Sequence, residues 1–171
     1  MKAEVTQGFD DKIVRDTFLI NRDSYPAGWT YSDAEEYYSK MLKNHENVHI
    51  VLRDNEKSVG FLLAIPHNAA VTQLKDDDQF MKPDDRAYYI ENVAILPAFT
   101  RRKGFTEMLR VLREESRKRG IFKISMHARV SNSLSKAVQK NMKIVEIRRI
   151  NAWRYYNYQE PTDYIEAEWC S

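Results

Sequence analysis

A strand, a basic turn, an amphipathic helix and a second strand follow one another directly in this chain, and this run constrains the fold most. AYYIENVAIL (87–96) is rich in β-branched and aromatic residues, which suits a strand. After RRKG (101–104), Phe105, Met108, Leu109 and Leu112 recur at i, i+3, i+4 and i+7, the apolar stripe of a helix. Gly120 is placed to end that helix, because glycine tolerates the left-handed conformation common after a last turn. IFKISMHA (121–128) reads as the next strand. Two strands joined by a helical crossover should lie parallel, with a right-handed connection.

The rest of the chain supplies antiparallel partners. Lys2 to Thr6 reads as a short strand, and residues 10–21 as a helix with Ile13, Val14, Thr17 and Phe18 inward. SYPAGW (24–29) reads as a loop. Ser32 and Glu35 then form a capping box opening a second helix, whose face is Ala34, Tyr37, Tyr38, Met41 and Leu42. VHIVLR (48–53) and SVGFLLAIP (58–66) flank DNEK as a hairpin. Residues 67–85 read as a polar, acidic connection, and 76–85 within it also suits a solvated, mobile insertion. SNSLSKAVQKN (131–141) is a short helix, and IVEIRRI (144–150) and YIEAEW (164–169) are strands. The order β-αα-ββ-β-α-β-α-ββ predicts an α/β (α+β) fold. Its sheet is mixed and mostly antiparallel around a central parallel βαβ unit, with helices on both faces.

Length and composition fit one domain spanning 1–171, with 43% hydrophobic and 30% charged residues in 171. The N-terminal MKAEVTQGFDDKIVRDTFLI mixes charged and apolar residues, so it is neither a signal peptide nor a span. The longest uncharged run, Ser58 to Leu74, is broken by Pro66, His67 and Asn68, which argues against a membrane partner. The single cysteine, Cys170, permits no intrachain disulfide, and the default expectation is cytoplasmic. His45, His49 and His67 lack metal-site spacing, so no metal is expected. Residues 101–119 carry eight Lys/Arg against three Glu, and residues 76–85 carry five Asp against one Lys. One segment suits an anion and the other a cation.

Gly104 marks the change from loop to helix. Free amides and the dipole at a helix start attract anions, and Arg101, Arg102 and Lys103 add full charges. A pyrophosphate ringed by amides would ask for a residue without a side chain at closest approach, and Gly104 supplies one.

On these residues the sequence resembles the GNAT superfamily of acyl-CoA N-acyltransferases. YYIENVAILPAFTRRKGFTEMLRVLREESRKRG (88–120) is similar to that family's main cofactor motif, and SNSLSKAVQKNMKI to its following helix–strand motif. Thr106 stands where the family pattern has Gly or Ala, Gln139 where many members carry tyrosine, and Lys143-Ile144 replaces the usual Gly-Phe. The resemblance implies an acetyl-CoA-dependent N-acetyltransferase acting by direct attack in a ternary complex. It implies coenzyme A contacts from Val93, Ala94, Ile95, Arg101, Arg102, Lys103, Gly104, Phe105, Thr106 and Asn132. It also implies that the amides of Val93 to Ile95 face the pantetheine and the acyl carbonyl.

Acyl transfer from a thioester to an amine requires positioning, carbonyl polarisation and loss of an ammonium proton. Glu91 interrupts an apolar strand and would share a face with Val93 and Ile95, so it is the candidate base. Its alternative role is an ion pair to an arginine, or a solvent-facing side chain. Tyr155, with Tyr156 and Tyr158 nearby, is the candidate hydroxyl donor, and each tyrosine also suits core or rim. Asn132 suits either a helix cap or a pantetheine contact. His127 suits a satisfied core position.

The expected acceptor is a primary amine on a small cationic molecule, or a protein N-terminus or lysine. The acidic 76–85 segment favours a cation. Two other readings compete. One is a GNAT-like scaffold impaired in catalysis, motivated by Gln139 and Thr106. The other is a nucleic-acid-binding module on the 101–119 face, against which the interleaved Glu107, Glu114 and Glu115 argue. The C-terminal strand pair leaves an edge through which a homodimer can form.

Overall fold

The computed structural model describes residues 1–25, 33–132, 134–155 and 158–169, without the side chains of Tyr155 and Tyr158. Most of the expected SYPAGW loop, the Ser32 half of the capping box, Tyr156 and Cys170 lie outside the described residues. The fold is mixed α/β. Its strands are β1 (Lys2–Val5), β2 (Val48–Asp54), β3 (Lys57–Pro66), β4 (Ala87–Ile95), β5 (Lys123–Arg129), β6 (Lys143–Tyr155) and β7 (Tyr158–Glu168). Their order is β1-β2-β3-β4-β5-β7-β6, mostly antiparallel, with β4 and β5 parallel. Helices α1 (Asp11–Ser24), α2 (Ala34–Lys43), α3 (His67–Leu74), α4 (Gly104–Lys118) and α5 (Leu134–Asn141), with a 3-10 turn at Pro97–Phe99, complete the described elements.

The chain forms two compact units. The first comprises Met1–Ala64 and Asn92–Glu115. There Asp10 caps α1 by accepting from the Lys12 amide at 2.7 Å. Asp33 occupies the cap position of α2 without a side-chain cap bond. Val14 and Ile20 of α1, Ala34 and Tyr38 of α2, and Phe61, Leu63 and Ala94 form one buried cluster. The β2–β3 hairpin turns at Asn55, whose φ of 54° is one that asparagine tolerates better than most residues. Phe105, Met108, Leu109 and Leu112 are buried, the stripe read from the sequence. His49 is buried between the Thr6 and Thr17 hydroxyls, at 3.3 and 3.1 Å, and stacks on Phe61. Burial lowers its pKa to about 4.

The second unit comprises Ile65–Glu91 and Ser116–Ser171. Residues 67–85, expected as a polar connection with a mobile insertion at 76–85 as the alternative, contain helix α3 and several fixed contacts. His67 bonds the Ser125 hydroxyl at 2.7 Å and the Lys82 carbonyl oxygen at 2.9 Å. Asp84 holds Lys123 at 3.0 Å. A run of polar residues read as solvated is thus anchored, because its histidine and aspartates find buried partners. The last two strands are longer than the apolar runs suggested, and they pair along their length with register shifts between Ile144 and Glu146 and between Ile150 and Trp153.

Candidate functional site

β4 delivers the chain to the basic turn. Asn92 and Ala94 face α1 and α2: Ala94 joins the buried cluster, and the Asn92 amide donates to the Tyr38 hydroxyl at 2.9 Å. The Tyr25 hydroxyl lies 2.9 Å from the Val93 carbonyl oxygen and 3.2 Å from the Asn92 side-chain oxygen. Sequence reasoning missed this Tyr25–Asn92–Tyr38 tie. Its signal was an asparagine in an apolar strand. Val93 and Ile95 are half-buried, and Leu96 donates its amide to Val59 at 2.9 Å.

A single 3-10 turn, Pro97–Phe99, follows, closed by the Thr100 hydroxyl on the Pro97 carbonyl at 2.9 Å. The turn then takes an uncommon course. Arg101 and Lys103 have φ of 63° and 61°, left-handed values that side chains resist, while Gly104 is outside that region. All three cations are exposed, and Arg102 lies over the Phe99 ring at 5.2 Å. Lys103 begins the helix by accepting from the Glu107 amide at 3.0 Å. The first-turn amides, including those of Gly104, Phe105 and Thr106, have no carbonyl of their own helix to bond. Exposed cations beside first-turn amides that lack a partner within their own helix are groups that attract an anion.

Packing gives Gly104 a physical reason of its own. A Cβ there would lie 2.6 Å from Leu52 Cδ2 and 3.2 Å from Ile95 Cδ1. The glycine lets α4 start hard against β2 and β4. Thr106 is exposed, so its extra bulk is not spent in that packing.

In the second unit Glu91 is half-buried. The Asn132 side-chain oxygen accepts from the Leu134 amide at 3.0 Å, which is the capping alternative. Gln139 donates to Ser135 at 3.1 Å, Ser135 to Asp163 at 3.3 Å, and Arg149 to Asp163 at 2.6 Å. The side chain at the family's tyrosine position is therefore engaged in a structural chain. The Tyr155 side chain lies outside the described residues.

His127, Tyr164 and Arg148 stand in register across β5, β7 and β6, on the face opposite Asp163. Asp78 reaches this face from the acidic segment, 3.0 Å from His127 Nε2 and 2.7 Å from Arg148. The Tyr89 hydroxyl sits 2.9 Å from His127 Nδ1, and Trp153 stacks on the imidazole at 3.9 Å. Burial alone would raise the Asp78 pKa, but bonds from His127, Arg148 and the Phe80 amide hold it at about 2. Burial lowers the His127 pKa despite Asp78. This is a closed, satisfied network.

A cavity of about 310 Å³ in the first unit lies among Lys12, Asp16, Leu19, Asp23, Glu56, Ser58 and Leu96. None of the residues implied by the sequence lines it. Among the described residues, no three His, Cys, Asp or Glu gather as metal ligands, and no helix is long and apolar enough to cross a membrane.

The model of the acetyltransferase (GNAT) family matches residues 14–141, most of the chain. The chain belongs to the GNAT acetyltransferase family. Solved structures agree on the GNAT fold. The ribosomal-protein-S18-alanine N-acetyltransferase from Escherichia coli superposes with a TM-score of 0.67 at 15% identity, covering 99% of this chain and 96% of that one. The aminoglycoside 6'-N-acetyltransferase from Enterococcus faecium gives 0.69 at 13%, covering 97% and 96%. PaiA N-acetyltransferase from Thermoplasma acidophilum, in complex with coenzyme A, gives 0.65 at 13%, covering 99% and 100%. No curated protein sequence matches this GNAT chain.

Proposed function

We propose that this chain, acting as one functional domain over 1–171, is an N-acetyltransferase using acetyl-CoA and a primary amine. The observation that carries the reading is the turn at 101–104, with two cations in left-handed backbone conformations directly before the first turn of α4. Arg101, Arg102 and Lys103 would take the diphosphate with the amides of Gly104, Phe105 and Thr106, and Val93 to Ile95 would lie along the pantetheine. Asn132 would bond the pantetheine with whatever capacity its cap leaves. A bound coenzyme A in the PaiA relative supports the ligand class.

The bound thioester supplies an activated acetyl group. This chain's residues hold the amine in line and accept its proton, for which Glu91 is the proposed base. Tyr155 is the proposed hydroxyl near the departing sulfur. Gln139 carries no titratable proton, so the thiolate, whose conjugate thiol has a pKa near 8.5, can be protonated by water if Tyr155 is out of reach.

The acceptor reading is a cationic amine. Of the five aspartates between 76 and 85, Asp78 is held by His127 and Arg148 and Asp84 by Lys123, while Asp76, Asp77 and Asp85 are exposed. The attracting charge is therefore smaller than the sequence count. Relatives named for a ribosomal-protein alanine, aminoglycosides and spermidine span the acceptor classes to try.

Thermal unfolding with acetyl-CoA, coenzyme A and a short oligonucleotide tests the reading. Millimolar coenzyme A should raise the midpoint by mass action, and the oligonucleotide should not. No shift with coenzyme A would remove the proposal. With an acceptor in hand, Glu91→Gln should lower kcat by roughly 10²-fold or more at neutral pH. An unchanged rate would exclude Glu91 as base.

A further inference from the structure

α1 ends at Ser24, and Tyr25 leaves it with extended backbone, φ −111° and ψ 155°, its amide still bonded to the Asn21 carbonyl at 3.2 Å. The Tyr25 ring packs against the buried cluster built from α1, α2, β3 and β4. A phenylalanine would pack as well there, so the hydroxyl needs a reason of its own. It lies 2.9 Å from the Val93 carbonyl oxygen and 3.2 Å from the Asn92 side-chain oxygen.

A carbonyl in a sheet ordinarily accepts from a neighbouring strand. Main-chain groups alternate sides along a strand, and the Leu96 amide turns to Val59 of β3. Val93 is three residues earlier, so its carbonyl turns away from β3. On that other side β5 pairs with β4 only from Ala87 to Tyr89. A side chain from the end of α1 takes the carbonyl instead. Asn92 steadies the arrangement, since its amide also donates to the Tyr38 hydroxyl of α2 at 2.9 Å. Two helices thus hold two consecutive residues of one strand.

We propose that Tyr25 is a positioning residue for the pantetheine arm of coenzyme A. This inference rests on the coenzyme A reading above, in which Val93 to Ile95 lie along that arm. The Val93 carbonyl and the Ala94 amide belong to one planar peptide, so a bond to the oxygen fixes the plane of both. The backbone that receives the arm is then set before the ligand arrives, and binding has less ordering to accomplish. The hydroxyl acts through the main chain, and Asn92 and Tyr38 support it at one remove.

Calorimetric titration of the full chain with coenzyme A, and with 3′-phospho-ADP, the fragment lacking the pantetheine arm, tests this. Tyr25→Phe keeps the ring and its packing. It should bind coenzyme A roughly fivefold more weakly or worse, with binding of the fragment and the thermal midpoint unchanged. Tyr38→Phe, which leaves the bond to Val93 in place, should weaken coenzyme A less. Undiminished binding of coenzyme A by Tyr25→Phe overturns the inference. So does an equal loss of coenzyme A and fragment, the mark of a residue that serves only the fold. An equal loss in Tyr38→Phe would assign the effect to Asn92 and overturn it too. A wild-type chain that binds neither ligand removes the coenzyme A reading and this inference together, an outcome distinct from the other three.

Discussion

Arg101 and Lys103 hold conformations that glycine would adopt freely. Backbone strain at non-glycine residues persists where surrounding structure or function maintains it, and its cost is of order 1 kcal/mol or more. Arg101→Gly should therefore raise stability, by up to about 1 kcal/mol, while weakening coenzyme A binding by roughly tenfold. Chemical denaturation and ligand titration of the same variant measure both. Weakened binding together with lost stability would mean that the guanidinium serves the fold. His49 gives a pH signature. Its folded pKa is about 4, against an ordinary value near 6.5, so the unfolded chain binds the proton first. Stability should fall as pH drops from 6.5 to 4, by on the order of 3 kcal/mol in all. Denaturant midpoints across that window should flatten in His49→Gln, after allowance for the two threonine contacts it loses.

At the scale of elements, two glycines set how closely strands and helix approach. A Cβ at Gly60 would lie 2.9 Å from the Ala94 carbonyl oxygen, which belongs to backbone and cannot swing aside. At Gly104 the nearest atom is a methyl of Leu52. Gly60→Ala should cost more than Gly104→Ala, with both within about 1–3 kcal/mol, in equilibrium unfolding. Equal costs would mean that Leu52, buried as it is, has no more room than backbone. The α4 stripe, the hairpin and the parallel pair were legible because burial imposes a period on apolar residues. Helix α3 was not, because HNAAVTQL has little apolar period and is held by His67, whose partners are distant in sequence. The turn at 101–104 was legible as cations before a helix, but its left-handed residues were not, since arginine and lysine carry no signal for positive φ. The anchor of the acidic segment, Asp78 on His127 and Arg148, joins three residues far apart in sequence, and composition is silent on such a meeting.

The charge of the whole molecule sums to only +2, yet the separate segments differ in sign. On α4, Arg110 pairs with Glu107 at 2.8 Å and with Glu114, so the helix offers less free positive charge than its lysine and arginine count. Binding of coenzyme A should weaken several-fold between 50 and 500 mM salt, because the turn's cations are exposed and screened. A salt-independent affinity, measured by calorimetry, would place the ligand's charge elsewhere. One contact also gives the molecule an optical property. Trp153 lies nearly parallel to His127, with 15° between the rings. Indole emission is quenched by a neighbouring imidazolium but far less by a neutral imidazole, and burial keeps His127 neutral below the pH at which a free histidine charges. Part of the tryptophan light should dim only in acid, and Trp153→Phe should remove that step. The chain carries its own dye at the anchor of its acidic segment, readable without a label.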